Sequence, residues 1–142
     1  MASSGFEVSV PGSAREVFDL VSDLRNLQQW DPGCAESRRL DATTFLVRDK
    51  HFATIVYRVG ETMRGAGGGI THFKGRGRGF VTRESVEVSG DAHTCLVRYT
   101  VDVRLSFPYS LCGSCVASKL RVASDEAGAS LQALFARRSV ML

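Results

Sequence analysis

Long hydrophobic runs and a strong excess of one charge are absent from this sequence. No run of 18 apolar residues occurs among its 142 residues, which excludes a membrane-spanning helix. The sequence has 18 Lys and Arg against 15 Asp and Glu, and this small excess of positive charge hardly favours nucleic acid over other partners. With 44% hydrophobic and 23% charged residues, the composition is that of a globular chain, neither disordered nor collagen-like.

The two ends of the sequence lack targeting signals. Residues 1–8 contain neither a basic segment nor an apolar core, as a secretory signal would, and position 2 is Ala2, which excludes myristoylation. The last four residues contain no Cys that could be prenylated. We therefore expect a cytoplasmic, soluble protein with a single domain over residues 1–142, as its length favours.

Catalytic and metal-binding signatures are also scarce. There is no G-x-S-x-G, no H-E-x-x-H and no P-loop. Cys112 and Cys115 form a C-x-x-C pair, which is typical of half a zinc site or of a redox motif. No second pair completes a zinc site, and the histidines are scattered, at His51, His72 and His93. We expect two free thiols at the start of a helix, no metal and no cofactor.

The first 33 residues predict a strand followed by two short helices. The strand shows alternating apolar side chains at Phe6, Val8 and Val10. Ser13 and Glu16 have the spacing of a capping box at the start of the first helix. Asp23 is a candidate N-cap for a second helix over Leu24–Trp30, which Asp31-Pro32-Gly33 would end.

Residues 34–105 alternate between apolar and polar side chains and predict six further strands. Short turns between them indicate an antiparallel sheet. Eight of the 14 glycines fall within residues 60–79. There, Gly67-Gly68-Gly69 predicts a flexible turn, and residues 75–79 predict a loop or a strongly twisted strand end. The predicted strands cover residues 35–40, 43–47, 53–59, 70–74, 80–88 and 95–105.

The remaining residues predict one long helix over about residues 110–136. Its apolar side chains recur every three or four positions, at Val116, Leu120, Ala123, Ala127, Leu131 and Leu134. One helix cannot cover both faces of seven strands. A curved sheet wrapped around the helix buries its concave face and tends to leave a cavity there.

The segment Ser13–Trp30, with its helix, its Asp23 and its Trp30, followed by Asp31-Pro32-Gly33, resembles the START/Bet v 1-like (SRPBCC) superfamily. The polyketide cyclase/dehydrase and lipid-transport group and its coenzyme Q-binding relatives are the most similar. The resemblance implies an α+β helix-grip fold of about seven strands curved around a C-terminal helix. It also implies a pocket for a lipid, quinone, sterol or polyketide-like molecule. Members of such a superfamily include carriers, sensors, regulators of partners and enzymes, and the fold does not choose among them.

The apolar faces of strands 53–59 and 95–105, together with the helical stripe, locate the predicted pocket. We expect opening to involve the glycine-rich residues 64–69. The main hypothesis is binding or transport of a hydrophobic small molecule, and a closed interaction module without ligand is one alternative. The predicted ligand-binding residues are Trp30, Tyr57, Phe73, Tyr99, Val101, Val116 and Leu120.

Glu84 is the candidate catalytic residue for the other alternative, an enzyme of the polyketide cyclase/dehydratase type. It shares a strand face with Thr82 and Val86, and burial would raise its pKa and suit it to acid/base chemistry. The competing interpretation is that this face is in water. Tyr57 and Tyr99 would present hydroxyls to a ligand or, alternatively, bond to the backbone as core aromatics.

A basic run comprises Arg64, Lys74, Arg76 and Arg78. It resembles arginine–glycine segments that bind RNA, but only Phe73 and Phe80 are near enough in sequence to stack on bases. We therefore expect no nucleic acid partner. A solvated loop at the rim of the pocket is the preferred interpretation, and such a rim could also make transient contact with an anionic membrane surface. Nothing in the sequence indicates an oligomeric state.

Overall fold

A computed structural model describes residues 2–50 and 53–141. It consists of seven strands, three α-helices and two 3₁₀ segments. No helix in these ranges is both long and apolar enough to cross a membrane. The elements are β1 (Ala2–Pro11), α1 (Ala14–Val21), a 3₁₀ helix (Leu24–Asn26), α2 (Leu27–Trp30), β2 (Cys34–Arg39), β3 (Thr44–Asp49), β4 (Ala53–Gly65), β5 (Gly68–Gly77), β6 (Phe80–Gly90), β7 (Thr94–Leu105), a second 3₁₀ helix (Tyr109–Cys112) and α3 (Gly113–Met141).

The strands form one antiparallel sheet in the order β1-β7-β6-β5-β4-β3-β2. Strands β2 to β7 follow each other as a meander, and β1 pairs with the last of them. The sheet curls into a half-barrel, and α3 packs on its concave side, mainly against β1. This arrangement confirms the predicted α+β helix-grip fold.

Side-chain caps begin the helices where the sequence predicted them. The Ser13 hydroxyl accepts a hydrogen bond from the Glu16 amide at 3.1 Å, and Asp23 accepts one from the Arg25 amide at 3.0 Å. The segment predicted as a single helix over residues 24–30 is a 3₁₀ turn followed by one α turn. The Arg25 guanidinium also donates to the Asp23 carboxylate, which ties the tight first turn together.

The glycine-rich segment is more regular than its composition suggested. The predicted loop over residues 75–79 is strand as far as Gly77, and the turn near 67 is short. A Cβ on Gly69 would lie 2.8 Å from the Phe18 ring, so glycine lets this strand pack closely on α1. Arg64 pairs with Asp19 of α1 and lies over the Phe18 ring. The tip of this hairpin is therefore fastened to α1.

The apolar stripe of α3 faces the sheet. Leu120, Ala127 and Leu131 are buried, while Val116, Ala123 and Leu134 are half-buried. Gly128 lies on the same stripe, where a Cβ would come 3.0 Å from the Phe6 ring. Glycine costs about 1 kcal/mol in a helix relative to alanine. Its absent side chain is what allows α3 to approach β1.

Removing the Leu131 side chain tests this packing. Leu131 is 0% exposed, so Leu131→Ala should lower the free energy of unfolding by about 2–5 kcal/mol, measured by urea denaturation. Val122→Ala is the control because Val122 is 52% exposed on the other face of α3, and it should cost less than about 0.5 kcal/mol. Equal losses for the two variants would contradict the assigned helix face.

Candidate functional site

A cavity of about 90 Å³ lies between the concave face of the sheet and α3. Its walls come from β1, the short helices, strands β3 to β7 and the middle of α3. The lining is largely apolar: Phe6, Val21, Leu24, Leu27, Trp30, Val47, Ile55, Phe73, Phe80, Val86, Val101, Val103, Leu120, Ala123 and Ala127. The polar members are Asp31, Asp49, Tyr57, Thr82, Glu84, Tyr99 and Ser124.

The volume limits what fits without movement. The volume of about 90 Å³ is the space open to the centres of water molecules. One water needs about 10–15 Å³ of such space, so the cavity has room for roughly six waters. That is the scale of one or two aromatic rings. A sterol or a long acyl chain would require α3 or the short helices to move away from the sheet.

Six of the seven predicted ligand-binding residues line this cavity. They are Trp30, Tyr57, Phe73, Tyr99, Val101 and Leu120. Val116 does not: it lies in the first turns of α3 and packs, half-buried, on a small group of Ala2, Val101, Val103 and Leu120. The stripe of α3 is longer than the cavity, so its first turns close one end of the core instead.

Glu84 faces the inside of the half-barrel. In the sheet register it lies between Phe73 of β5 and Val101 of β7, and both of these side chains are buried. Arg83 and Glu87 occupy the opposite face of the same strand. The competing interpretation, a strand that exposes this face to water, does not describe the structure.

Three hydroxyls surround the Glu84 carboxylate. Thr82 Oγ1 donates a hydrogen bond to Oε2 at 2.9 Å, and the Tyr99 hydroxyl donates to Oε1. The Tyr57 hydroxyl also interacts with this carboxyl and favours its charged form. Burial raises the pKa of Glu84 above its ordinary value, although the hydroxyl donors oppose the shift, and the charge of Asp49 adds to it. Glu84 is thus a carboxyl whose protonated form is favoured, within reach of the cavity.

Tyr57 and Tyr99 serve as donors to this carboxyl. Burial, followed by the negative charge of Glu84, holds the pKa of both phenols well above the usual range. Their hydroxyls therefore stay protonated. The Tyr99 ring also stacks on Phe6, with centroids 5.4 Å apart, which fixes its direction. The tyrosines interact with Glu84, in contrast to the predicted alternative of hydroxyls bonded to the backbone.

Gly75 makes space for this cluster. It points into the concave face of β5, where a Cβ would lie 2.4 Å from the Thr82 hydroxyl and 2.8 Å from the Tyr57 ring. Any side chain here would displace two of the groups that hold Glu84. We therefore interpret the glycine as part of the site.

Trp30 contributes a polar group without a partner. The side chain is 4% exposed and packs edge-on against Phe6, with ring centroids 6.2 Å apart. Within the described ranges, its indole Nε1 has no hydrogen-bond acceptor. Buried indole N–H groups usually find one. A ligand oxygen in the cavity would supply the missing acceptor.

Sequence reasoning did not identify Asp31, Asp49 and Ser124 as lining residues. Ser124 is buried and falls on the stripe of α3, four residues after Leu120, so helical spacing would have found it. Asp31 follows the end of α2 and Asp49 ends β3, and at such positions an Asp is typical of a turn. Their placement depends on how β2 and β3 pair, which no local pattern reveals.

The four cysteines, together with His72 and His93, do not line the cavity. Cys112 and Cys115 are free and exposed, while Cys34 and Cys95 are buried. Burial raises the pKa of both buried thiols to about 11, so they are poor nucleophiles. The described residues contain no group of three or more metal ligands. The histidines at 72 and 93 are exposed, and His51 lies outside the described residues.

The predicted basic run divides between two ends of the sheet. Lys74, Arg76 and Arg78 are exposed on β5 and the turn that follows it. Arg64 lies at the opposite end of that hairpin, paired with Asp19. The four side chains therefore do not form one continuous patch.

Residues 10–126 match the sequence profile described as polyketide cyclase/dehydrase and lipid transport. The chain belongs to this family. The match spans the short helices, all strands from β2 to β7 and the first half of α3. Comparison with curated proteins gave no match.

The fold of the chain is similar to that of several solved structures. A START superfamily protein from Mycobacterium smegmatis has a TM-score of 0.73 at 15% identity, covering 96% of this chain and 99% of that one. The protein XoxI from Bacillus cereus has a TM-score of 0.73 at 14% identity, with 98% and 99% covered. The di-domain aromatase/cyclase BexL of the BE-7585A biosynthetic pathway has a TM-score of 0.72 at 15% identity, with 93% and 45% covered. At these identities the likeness concerns the fold alone.

The raised pKa of Glu84 predicts a pH-dependent cost to stability. Because the pKa of Glu84 is higher in the folded than in the unfolded protein, protonation of this group stabilises the native state. The stabilisation is complete below the pKa of the unfolded chain, about 4.3, and is lost as pH rises through the pKa of the folded protein. Glu84→Gln removes the ionisation. Its free energy of unfolding, relative to wild type, should therefore increase between pH 4 and pH 8, as measured by urea denaturation across that range.

Glu87→Gln is the matched control, because Glu87 lies on the outer face of the same strand. It removes a carboxylate from β6 without changing the cavity. A pH profile of Glu84→Gln that parallels the Glu87→Gln profile would show that Glu84 is not held in an apolar site.

Proposed function

We propose that this chain is a single ligand-binding domain that takes up a small hydrophobic molecule in the cavity between the sheet and α3. One observation carries the proposal: a largely apolar cavity in which the Thr82 and Tyr99 hydroxyls converge on an inward-facing carboxyl, Glu84. A closed core has no use for this arrangement, because burying a carboxyl costs stability.

The lining defines the chemistry of the ligand. An apolar ring system would fill the space among Phe6, Phe73 and Leu120. A hydroxyl or carbonyl on that ring would bond to the Glu84 carboxyl, and a second oxygen would accept from the Trp30 indole. A polyketide-like or quinone-like ring with oxygens at its edge fits both groups, which supports those classes over a plain hydrocarbon.

Entry requires part of the wall to move. The expected opening at residues 64–69 stays a proposal, and the Arg64–Asp19 ion pair would have to separate for it. Both partners are about half exposed, at 52% and 53%, and exposed pairs contribute little to stability. The ion pair by itself therefore opposes opening only weakly, and the packing of Arg64 and Gly69 on Phe18 would also have to separate.

The second candidate is an enzyme of the polyketide cyclase/dehydratase type. It is supported by the raised pKa of Glu84, because a carboxyl with a raised pKa is better suited to proton transfer to or from a bound carbon acid. Glu84→Gln separates the two functions. A carrier with this substitution keeps ligand uptake, whereas an enzyme keeps uptake but loses conversion of its substrate.

Filling the cavity tests the binding proposal. The wild-type protein should bind 1-naphthol, a two-ring probe with one hydroxyl, with a change in probe fluorescence. Ala123→Trp should abolish the change, since Ala123 lines the cavity. Overpacking costs about 1–3 kcal/mol, so circular dichroism must show that the variant is folded. Ala123→Leu provides a milder filling if it is not.

Val122→Trp is the matched control, one residue away on the exposed face of α3. It should bind the probe as wild type does. Uptake that survives in folded Ala123→Trp would place the binding site elsewhere. Absence of uptake in the wild-type protein would favour the closed interaction module.

A further inference from the structure

The loop between β7 and α3 exposes apolar side chains at one end of the half-barrel. Phe107 is 80% exposed and Leu111 is 77% exposed. Residues 105–118 contain no charged side chain. Exposed apolar groups of this size, close together in a loop, mark an interaction site.

This loop is joined to the turn between β5 and β6. The Ser106 amide donates a hydrogen bond to the Gly79 carbonyl at 2.8 Å. The Tyr109 ring covers Gly79 so closely that a Cβ there would lie 2.3 Å from it. The loop and the turn are therefore in contact, and the exposed Arg78 directly precedes Gly79 in that turn.

Basic side chains flank the apolar loop. On the outer face of the sheet, Arg76 of β5, Val81 of β6 and Arg104 of β7 are register neighbours and all three are exposed. Residues 74–83 and 103–124 together contain seven Lys and Arg and no Asp or Glu. Asp102 lies two residues before Arg104 on the same face of β7, where its carboxylate accepts a hydrogen bond from the Ser3 hydroxyl.

We propose that this end of the molecule docks on an anionic lipid bilayer. The docking surface comprises Arg76, Arg78, Arg104, Phe107 and Leu111. Phe107 and Leu111 would enter the interface between headgroups and acyl chains, while the arginines would contact anionic headgroups. A bilayer fits better than nucleic acid, because stacking on bases needs a row of aromatic rings and Leu111 cannot stack.

The docking surface lies at a defined end of the cavity. Phe80 follows the turn that carries Arg78, and Val103 precedes Arg104; both line the cavity. Docking would bring this end of the core against the bilayer. That the surface serves ligand exchange with the membrane rests on the proposed function, whereas docking itself rests only on the exposed side chains.

Vesicle co-sedimentation tests the docking. Wild-type protein should sediment with phosphatidylcholine vesicles that contain phosphatidylserine, and less so as salt is added, since salt screens exposed charges. Phe107→Ser combined with Leu111→Ser should weaken binding by about ten-fold or more. Arg76→Gln and Arg78→Gln should each weaken it by about five-fold.

Two controls lie at the opposite end of the half-barrel, where α1 begins and α3 ends. Arg15→Gln removes an exposed charge, and Val140→Ser removes an apolar side chain that is 87% exposed. Both variants should bind vesicles as wild type does. Equal losses in these controls would overturn the assignment of the docking surface.

Other outcomes also overturn the proposal. Wild-type protein that stays in solution with phosphatidylserine vesicles excludes docking on anionic lipid. Tighter binding of the same residues to single-stranded RNA than to vesicles would assign the surface to nucleic acid. Uptake of 1-naphthol is measured on the same variants without vesicles. A variant that still takes up the probe but no longer sediments shows that docking does not depend on the cavity. A loss of probe uptake with normal sedimentation would contradict the proposed function and leave the docking proposal standing.

Discussion

The rest of the site depends on holding one carboxyl, Glu84, inside an apolar half-barrel. A buried carboxyl is tolerated only when it is hydrogen-bonded or neutral. Here both solutions operate, because Thr82 and Tyr99 donate to the two oxygens while burial raises the pKa of the group. These two donors lie on β6 and β7, which are adjacent strands, and Glu84 itself lies on β6.

This constraint extends to residues that never touch the carboxyl. Phe6 stacks on Tyr99 and also contacts Trp30 edge-on. A single ring of β1 therefore positions two hydrogen-bond donors of the cavity, the Tyr99 hydroxyl and the Trp30 indole. Gly128 lets α3 approach Phe6, and Gly75 leaves the space that Tyr57 and Thr82 fill. Two glycines that would weaken a helix and a strand thereby allow the aromatic packing on which the polar centre depends.

The sequence predicts the architecture correctly and places several of the cavity-lining residues on one face, for identifiable reasons. Alternation placed Tyr57, Tyr99 and Val101 on a shared inner face, and the spacing of α3 placed Leu120 against them. Such patterns report which face is buried, which suffices for a sheet wrapped around one helix. These patterns do not show how far along the stripe of α3 the cavity extends. The same spacing therefore also selects Val116, which packs at the end of the core.

Contacts between distant segments escaped prediction for another reason. Whether Glu84 lies inside depends on its register with β5 and β7, because a one-residue slip would turn it outward. The strand character of the glycine-rich hairpin depends likewise on Phe18 of α1, whose ring needs glycine beneath it. The apolar loop at Phe107 shows no periodicity, and only its contact with the turn at Gly79 relates it to the basic residues.

Carbon-13 NMR of the Glu84 side-chain carboxyl, assigned by its disappearance in Glu84→Gln, tests the central claim most directly. If Glu84 lies in a ligand cavity, its resonance titrates above the ordinary range of glutamate and moves when 1-naphthol is added. A resonance that titrates as an ordinary glutamate and is unchanged by the probe would contradict a carboxyl held within a ligand-binding cavity.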